Sequence, residues 1–238
     1  DVIRESGSAA DFPAWDYQEY PKTLPRDDFW GQCRRTIMGR RMSEVEVGEL
    51  VAHLRAVLDL GPADVLLDLG CGNGALAARL FDDCTAYTGV DQSAYLIEIA
   101  KEYFERPPRY LFIHGDVAEL ADSVARPESF TKILCFAALQ YLPPATVDMV
   151  LRAVSDRFPN ARRMVLGNLP DRDRAGRFYR DGYAEGDLDE HRSQVGKWWS
   201  IDQMGALARN FGWDIATSRM SEDFFNANYR FDAIFTRE

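Results

Sequence analysis

The sequence lacks the features that mark membrane, secreted and disulfide-rich proteins. No apolar run approaches the roughly 18 residues that a membrane-spanning helix needs. The chain begins Asp1-Val2-Ile3-Arg4, without the basic and then apolar segment of a secretory signal. Its four cysteines are scattered and include no Cys-x-x-Cys pair, so neither a zinc site nor a disulfide framework is expected. These absences predict a cytoplasmic protein with reduced thiols and no membrane segment.

Basic residues are fewer than acidic ones: the chain has 28 Lys and Arg and 38 Asp and Glu, which gives a net charge of −10. A nucleic-acid backbone favours a basic binding surface, so this balance argues against a nucleic-acid substrate. With 238 residues, 46% of them hydrophobic, one large α/β domain with an N-terminal extension fits better than two domains. No oligomeric state follows from the sequence.

The segment VLLDLGCGNG, residues 65–74, has the clearest pattern in the chain. Its apolar start predicts a buried strand, and glycine at every second position predicts a sharp turn that can approach a ligand closely. Residues 75–80 then predict a helix, which completes the start of a nucleotide-type βαβ unit. A second apolar strand, residues 86–90, ends at Asp91. Asp91 follows Gly70 by 21 residues, close to the ~20-residue spacing at which a carboxylate meets ribose hydroxyls.

Details of the glycine turn indicate which nucleoside it binds. The pattern is GxGxG rather than the GxGxxG of dinucleotide folds, and Asp68 lies two residues before the first glycine. A carboxylate at this place would repel a pyrophosphate but suits a ligand that carries an ammonium group. These residues resemble the class I S-adenosylmethionine (AdoMet) methyltransferases, whose first motif is an apolar strand, an acidic residue and GxGxG. The alternative is a strand-to-helix turn that merely needs its glycines.

The resemblance implies an α/β fold with a seven-stranded, mostly parallel sheet, a C-terminal antiparallel hairpin and helices on both faces. It implies a methyltransferase domain over residues 43–238, an N-terminal lid over residues 1–42, and AdoMet as cofactor, with S-adenosylhomocysteine (AdoHcy) as product. No metal is expected. The cofactor-binding residues that it implies are Asp68, Gly70, Cys71, Gly72, Asn73, Gly74, Asp91, Gln92, Asp116, Val117 and Phe136.

Capping residues and apolar spacing predict the remaining helices. Ser43 with Glu46 forms a capping-box pattern, and Ser93 is placed to cap a second helix. Ser200 or Asp202 is placed to cap a helix that ends near residue 210. A further helix over residues 145–158 and further strands over residues 110–114, 130–136, 163–168, 213–220 and 229–236 complete the predicted order.

Asp116 admits two interpretations that are compatible with each other. It follows the strand of residues 110–114, where the resemblance implies a contact with the adenine amino group and an N–H of Val117 facing the ring. The residue type alone predicts a helix N-cap.

The segment after Phe136 narrows the chemistry. In the resembled fold this strand end borders the transferred methyl group. The segment lacks the Asn/Asp-Pro-Pro-Tyr motif of enzymes that methylate amino groups of bases, and it lacks the acidic residue that holds magnesium in catechol-type enzymes. Leu139-Gln140-Tyr141-Leu142 resembles the LxHL segment of small-molecule methyltransferases, with Gln140 in place of the usual histidine, which removes one candidate base.

Two segments are candidates for the substrate cover. In the N-terminal arm, Tyr20 or Trp30 would wall the pocket, and Arg34 or Arg35 would hold a carboxylate or phosphate in a bidentate manner. The alternative is an arm that only packs on the domain. Residues 171–197 form a connection so long that it is more often functional, and in the resembled fold it covers the substrate. Aromatic residues that would shape an acceptor surface, or simply belong to the core, are Tyr141, Tyr179, Tyr183 and Trp198.

The reaction that the resemblance implies is an in-line methyl transfer, in which the enzyme mainly aligns the reactants. An amine acceptor must only arrive unprotonated, whereas a hydroxyl usually needs a base. His191 is the histidine within residues 171–197 and is therefore the base candidate, with a solvated loop histidine as the alternative.

The predicted function is metal-independent transfer of a methyl group from AdoMet to an O or N atom of a small metabolite. One alternative is an NAD(P)-dependent oxidoreductase, which an NADH titration would distinguish. A second is a catalytically silent AdoMet-binding module that acts through a partner. A third is a methyltransferase with a protein or RNA acceptor, of which the acidity disfavours RNA.

Overall fold

The computed structural model describes residues 16–37, 39–179 and 181–238, and predictions for residues 1–15 lie outside this part. The strands are β1 (Thr36–Ile37), β2 (Arg40–Arg41), β3 (Val65–Leu69), β4 (Ala86–Asp91), β5 (Tyr110–His114), β6 (Lys132–Phe136), β7 (Arg163–Pro170), β8 (Asp214–Ser218) and β9 (Arg230–Thr236). The α-helices are α1 (Phe29–Gln32), α2 (Glu44–Leu58), α3 (Ala94–Tyr103), α4 (Val117–Ser123), α5 (Pro144–Arg157) and α6 (Ile201–Asn210).

Seven of these strands form one sheet in the order β5-β4-β3-β6-β7-β9-β8. Strands β3 to β7 pair in parallel, whereas β9 lies between β7 and β8 and pairs with both in the antiparallel direction. The predicted sheet with its C-terminal antiparallel hairpin is confirmed. Because the parallel strands share one direction, the turns after β3, β4, β5, β6 and β7 all lie at the same edge of the sheet.

Helices cover both faces of this sheet, as predicted. Neighbouring residues of β3 point to opposite faces, so that Leu66 joins one core cluster and Leu67 joins the other. Residues of α2 and α3, such as Leu54, pack on the first face. Residues of α4, α5 and α6, such as Leu151 and Met204, pack on the second face.

The predicted helix caps are present. Glu46 N–H donates to Ser43 Oγ over 3.3 Å, and the Glu46 carboxylate accepts from Ser43 N–H over 2.6 Å, which completes the capping box of α2. Ser93 Oγ accepts from Leu96 N–H at the start of α3. Ser200 caps α6 in the same way. These helix starts follow from local hydrogen bonding, which is why the sequence alone predicts them.

The helix predicted for residues 75–80 is wrong. Two short 3-10 turns, Ala77–Arg79 and Phe81–Asp83, occupy the segment between the glycine turn and β4. Leu76, Ala77 and Leu80 of this segment are buried, so the apolar residues that suggested a helix are packed into the core by these short turns.

The described part of the N-terminal arm, residues 16–37 and 39–42, packs against the domain near the start of α3. Ser93 Oγ donates to Tyr17 O over 3.3 Å, and Gln18 Nε2 donates to Gln92 O over 3.1 Å. Arg26 adds ion pairs to two carboxylates of α3, Glu98 and Glu102. The arm thus lies across the end of β4.

Within the described residues, no helix combines the length and the apolar character that crossing a bilayer requires. The four cysteines, Cys33, Cys71, Cys84 and Cys135, are free thiols. No cluster of three or more His, Cys, Asp or Glu side chains in this part of the chain is arranged to hold a metal ion.

Candidate active site at the carboxyl edge of the sheet

A cavity of about 250 Å³ opens at the carboxyl edge of the parallel strands. Its walls come from the turns after β3, β4, β5, β6 and β7, from the N-terminal arm, and from the loop between β8 and β9. Open α/β sheets bind their ligands at this edge. Of the predicted site residues, the cavity is lined by Gly70, Cys71, Gly72, Asp91, Gln92, Asp116, Val117, Phe136, Arg34, Arg35 and Tyr141.

The glycine turn needs glycine for two separate reasons. Gly70 and Gly72 have φ angles of +84° and +59°, a region that residues with a Cβ rarely adopt. A Cβ at Gly70 would come within 2.5 Å of Ala138 Cβ, and one at Gly72 within 2.8 Å of Cys33 Sγ. The turn therefore passes so close to its neighbours that only the bare main chain fits, and this main chain faces the cavity.

Asp91 joins the glycine turn to the start of α3. Its Oδ2 accepts from Gly72 N–H over 2.9 Å, and its Oδ1 accepts from Ser93 N–H over 2.8 Å. Burial raises the pKa of the Asp91 carboxyl, while the two backbone N–H donors act in the opposite direction. Because each carboxylate oxygen has a second lone pair, Asp91 can still accept hydrogen bonds from two hydroxyl groups in the cavity.

Asp68 lies beneath the glycine turn rather than on the cavity wall. Its side chain is buried and Oδ2 accepts from the Tyr87 hydroxyl over 2.8 Å. Burial raises the pKa of this carboxyl to about 7, although Tyr87 and the Arg35 guanidinium lower it. A cation bound at the turn would favour the ionised form of Asp68, so the carboxylate suits an ammonium or sulfonium ligand by charge.

Asn73 and Gly74 support the turn and do not line the cavity, so their predicted contact with the cofactor stays a prediction. Asn73 Nδ2 donates to Phe29 O and to Gln32 Oε1, both over 2.9 Å. These bonds tie the turn to the N-terminal arm. A Cβ at Gly74 would come within 2.7 Å of the Phe112 ring, so this glycine serves packing.

Replacing Asn73 with alanine should lower the free energy of unfolding by about 1–3 kcal/mol, because Phe29 O and Gln32 Oε1 would lose their buried donor. The loosened turn should also bind AdoHcy more weakly. Urea denaturation and calorimetry measure the two effects. Asn160→Ala, at an exposed residue that donates only to Glu128 O, is the matched control and should change neither. Equal stability of the Asn73 variant and the wild type would contradict this role.

Asp116 caps α4, as its residue type predicted. Its Oδ1 accepts from Ala118 N–H over 2.8 Å and from Glu119 N–H over 3.3 Å. Asp116 and Val117 also line the cavity. Capping leaves the second carboxylate oxygen of Asp116 available, so the adenine contact stays a prediction that is compatible with the cap.

Phe136 and Arg35 meet at the end of β6. The Arg35 guanidinium lies 5.2 Å from the centre of the Phe136 ring. Within the described residues, Arg35 forms no salt bridge, and burial lowers the pKa of its guanidinium. Arg34, by contrast, lies 4.6 Å from the ring of Tyr20. Arg35 thus lies on the cavity wall without a direct salt bridge in the described structure, and the buried Asp68 carboxylate acts on it only at longer range.

Three aromatic residues predicted to shape the acceptor surface pack elsewhere. Tyr179 and Trp198 are buried, with ring centres 5.5 Å apart, and Tyr183 lies 5.7 Å from Tyr179. Together with Phe178, which does line the cavity, they form an aromatic cluster under the 171–197 connection. This position agrees with the alternative that they belong to the core, and their contact with an acceptor stays a prediction.

Tyr20, Trp30 and His191 also do not line the cavity. Trp30 packs against the core on the α2 face, and Tyr20 holds Arg34. His191 is partly exposed, and its Nδ1 lies 3.8 Å from the Glu190 carboxylate. Nothing in this geometry brings the His191 ring to the cavity, so its role as a base stays a prediction without structural support.

Several residues of the cavity wall were missed by sequence reasoning. One continuous group of them belongs to the loop between β8 and β9 and to the start of β9, which the sequence identified only as a connection and a strand. The missed residues include Met220, Phe224, Phe225, Asn226, Tyr229, Arg230, Phe231 and Asp232. Asp232 accepts from Asn168 N–H over 2.7 Å and lies 2.6 Å from His53 Nε2. No local pattern signals these residues, because β9 inserts between β7 and β8 only in the folded sheet.

Comparison with known proteins agrees with this geometry. A family model described as a methyltransferase domain matches residues 66–158. An uncharacterized methyltransferase from Schizosaccharomyces pombe is 30% identical over 161 residues, which cover 64% of this chain and 59% of that protein. The ribosomal RNA small subunit methyltransferase A of Geobacter metallireducens is 30% identical over 71 residues, which cover 30% of this chain and 26% of that protein. The chain thus spans less than two thirds of the length of these curated relatives.

Among solved structures, the chain is similar to the magnesium protoporphyrin IX methyltransferase from Synechocystis PCC 6803 with bound S-adenosylmethionine. The TM-score is 0.56 at 21% identity, over 94% of this chain and 99% of that chain. The residues of the cavity fit the same cofactor, since the glycine turn leaves room for a ligand and two carboxylates suit its hydroxyl and cationic groups. Residues 66–158 therefore match the methyltransferase-domain model, and the chain has the fold of this class I AdoMet-dependent methyltransferase.

Proposed function

We propose that this protein transfers the methyl group of AdoMet to an O or N atom of a small metabolite, without a metal ion. The observation that carries the proposal is one continuous cavity. It reaches from the glycine turn and Asp91 to an apolar region around Phe136 at the end of β6. A cofactor held at the first end and an acceptor held at the second would meet in line, which is the alignment that methyl displacement requires.

AdoMet supplies a methyl group on a sulfonium, which leaves as a neutral thioether. The residues of this chain bind and orient the cofactor and the acceptor, and they exclude water from the space between them. Asp91 would accept hydrogen bonds from the ribose hydroxyls of the cofactor, and the main chain of Gly70 to Gly72 would leave room for its amino-acid part. The buried charge of Asp68 favours a cationic ligand over a neutral one. Phe136 excludes water from the space where the acceptor approaches.

A small acceptor is supported by the charge and by the enclosure of the cavity. The net charge of −10 disfavours a nucleic-acid backbone. The relative that is named for ribosomal RNA matches only 30% of this chain, and the N-terminal arm lines one side of the cavity, where the ring centres of Tyr17 and Tyr141 are 5.4 Å apart. An arm that forms part of the wall leaves room for a metabolite rather than a polymer. Location in the cytoplasm is part of the proposal and is supported by the free thiols.

The positive charge of Arg35 indicates that the acceptor carries an acidic group. An arginine on a cavity wall that forms no salt bridge within the described residues is suited to a carboxylate or phosphate of the ligand. The acceptor in this proposal is therefore a small metabolite with an acidic group.

The test begins with calorimetry of the purified protein, titrated in parallel with AdoHcy and NADH. AdoHcy should release heat and NADH should not. The protein is then incubated with methyl-tritiated AdoMet and with separate metabolite, RNA and protein fractions, with and without EDTA. We expect label in the metabolite fraction, unchanged by EDTA, and a product heavier by one methylene group. Binding heat with NADH but not with AdoHcy would favour the oxidoreductase alternative. Tritium found only in the RNA or protein fraction would contradict the proposal of a small-metabolite acceptor. AdoHcy binding without transfer to any fraction would identify the silent module.

A further inference from the structure

Gln140 lies in a 3-10 turn, Leu139–Tyr141, that directly follows the end of β6. Its side chain is 1% exposed and forms part of the cavity wall. Among the residues that the structure describes, no donor reaches Gln140 Oε1. A buried amide oxygen has lost its water, and a protein rarely leaves such an oxygen without a hydrogen-bond partner. The group that satisfies it is therefore to be sought in the cavity.

The main chain of Gln140 is held by the 171–197 connection, and its side chain is closely packed. Gln140 O accepts from Lys197 N–H over 2.8 Å. A Cβ at Gly196 would come within 2.7 Å of Gln140 Cγ, which shows how closely the two segments pack. The neighbouring Tyr141 hydroxyl donates to Gln194 O over 3.0 Å. The turn after β6 is thus fixed to the end of the 171–197 connection, which places the buried side chain of Gln140 at the cavity wall.

Other buried polar atoms without a partner in the described structure do not have this position. Trp198 Nε1 and Trp199 Nε1 are such atoms, but neither residue lines the cavity. Gln140 is distinguished from them because its unpaired oxygen and its place on the cavity wall occur together.

We propose that Gln140 determines acceptor specificity by accepting a hydrogen bond from a neutral N–H or O–H group of the acceptor. This inference rests on the proposed function and deepens it. An amide oxygen accepts a hydrogen bond but does not take up the proton, so Gln140 orients the acceptor and is not its base. Together with Arg35 and the aromatic walls, it defines the acceptor class as a flat, apolar molecule that carries both an acidic group and a neutral hydrogen-bond donor. The aromatic walls include Phe136, Tyr141, Phe224 and Phe231.

Four probes separate the two recognition elements: benzoate, 4-hydroxybenzoate, 4-aminobenzoate and phenol. Each is titrated into the full-length protein saturated with AdoHcy, so that no reaction occurs. In the wild type, 4-hydroxybenzoate and 4-aminobenzoate should bind about tenfold more tightly than benzoate, which has the acid but no donor. Phenol, which has the donor but no acid, should also bind more weakly than 4-hydroxybenzoate.

The variants Gln140→Met and Arg35→Met serve as controls for each other. Gln140→Met has nearly the same shape and should abolish the preference for the donor-bearing probes while keeping the preference for the acid. Arg35→Met should do the reverse. Gln140→His, which restores a ring nitrogen as acceptor, should recover part of the donor preference.

The proposal is overturned if Gln140→Met keeps the donor preference, or if the wild type binds benzoate as tightly as 4-hydroxybenzoate. The wild-type comparison needs no variant, so it decides the question even if Gln140→Met does not fold. If the wild-type protein did not bind AdoHcy at all, the proposed function itself would be refuted. Retained AdoHcy binding with no binding of any donor-bearing probe would refute only the role of Gln140.

Discussion

Replacing Asp91 with asparagine should weaken AdoHcy binding about 100-fold while the chain stays folded. The asparagine amide keeps one acceptor oxygen for the backbone but places a donor where Asp91 now accepts from Gly72 N–H. The ribose hydroxyls would lose a charged acceptor at the same time. Hydrogen bonds to a charged group contribute about 1.5–3 kcal/mol each, and a 100-fold change corresponds to about 2.8 kcal/mol.

Calorimetry with AdoHcy measures this loss, and circular dichroism during heating shows that the sheet still forms. Asp82→Asn is the matched control, since Asp82 is an exposed carboxylate in the 3-10 turn that precedes β4. The control should bind AdoHcy as the wild type does. If Asp91→Asn bound AdoHcy with wild-type affinity, the cofactor would lie elsewhere and the proposed function would lose its basis.

Replacing Asp68 with asparagine should have two opposite effects at pH 8, a more stable ligand-free protein and weaker binding of AdoHcy. Burial raises the pKa of Asp68 to about 7, so folding disfavours its ionised form. As the pH rises from about 4 to 7, the unfolded chain releases this proton before the folded chain does. The contribution of Asp68 to stability therefore falls across that window and stays at its lowest value above pH 7.

Asparagine removes the charge, and its oxygen can still accept from the Tyr87 hydroxyl. We expect the stability difference between variant and wild type to grow from about pH 4 to 7 and to reach a few kcal/mol, as measured by urea denaturation. Affinity for AdoHcy at pH 8 should fall about tenfold, because its ammonium group loses a nearby negative charge. Asp148→Asn, at an exposed residue of α5, should show neither effect. A less stable variant with unchanged affinity would show that Asp68 serves only the fold.

These two predictions also show how the site combines local and distant contributions. The glycine turn and the end of β4 belong to a pattern within about 30 residues, so the sequence is enough to predict that they lie together and to propose their roles. Gln140 is different. Its residue type indicates only that the expected histidine is absent, and its unpaired oxygen becomes visible only when Gly196 and Lys197 pack against the turn.

The predictions fall short where packing within the whole domain decides the local structure. Two short 3-10 turns replace the helix predicted after Gly74, and their apolar residues are buried all the same. Tyr179 and Trp198 have the composition of a binding surface, yet they pack on each other because the 171–197 connection turns that side inward. The type of a residue shows the chemistry of its side chain. Whether that side chain points to the core or to the cavity is decided by packing between segments that are far apart in the chain.

By itself the sequence determined the class I sheet, most of its strands and helices, the glycine turn and the two carboxylates Asp68 and Asp91. It could do so because apolar runs, caps and turn glycines act within a few residues of the chain. Only the tertiary structure decided that Asn73 holds the arm, that the loop before β9 completes the wall, and that Arg35 and Gln140 face one cavity. Such contacts join residues far apart in the chain, and it is the packing of the sheet edge against the arm and loops that brings them together.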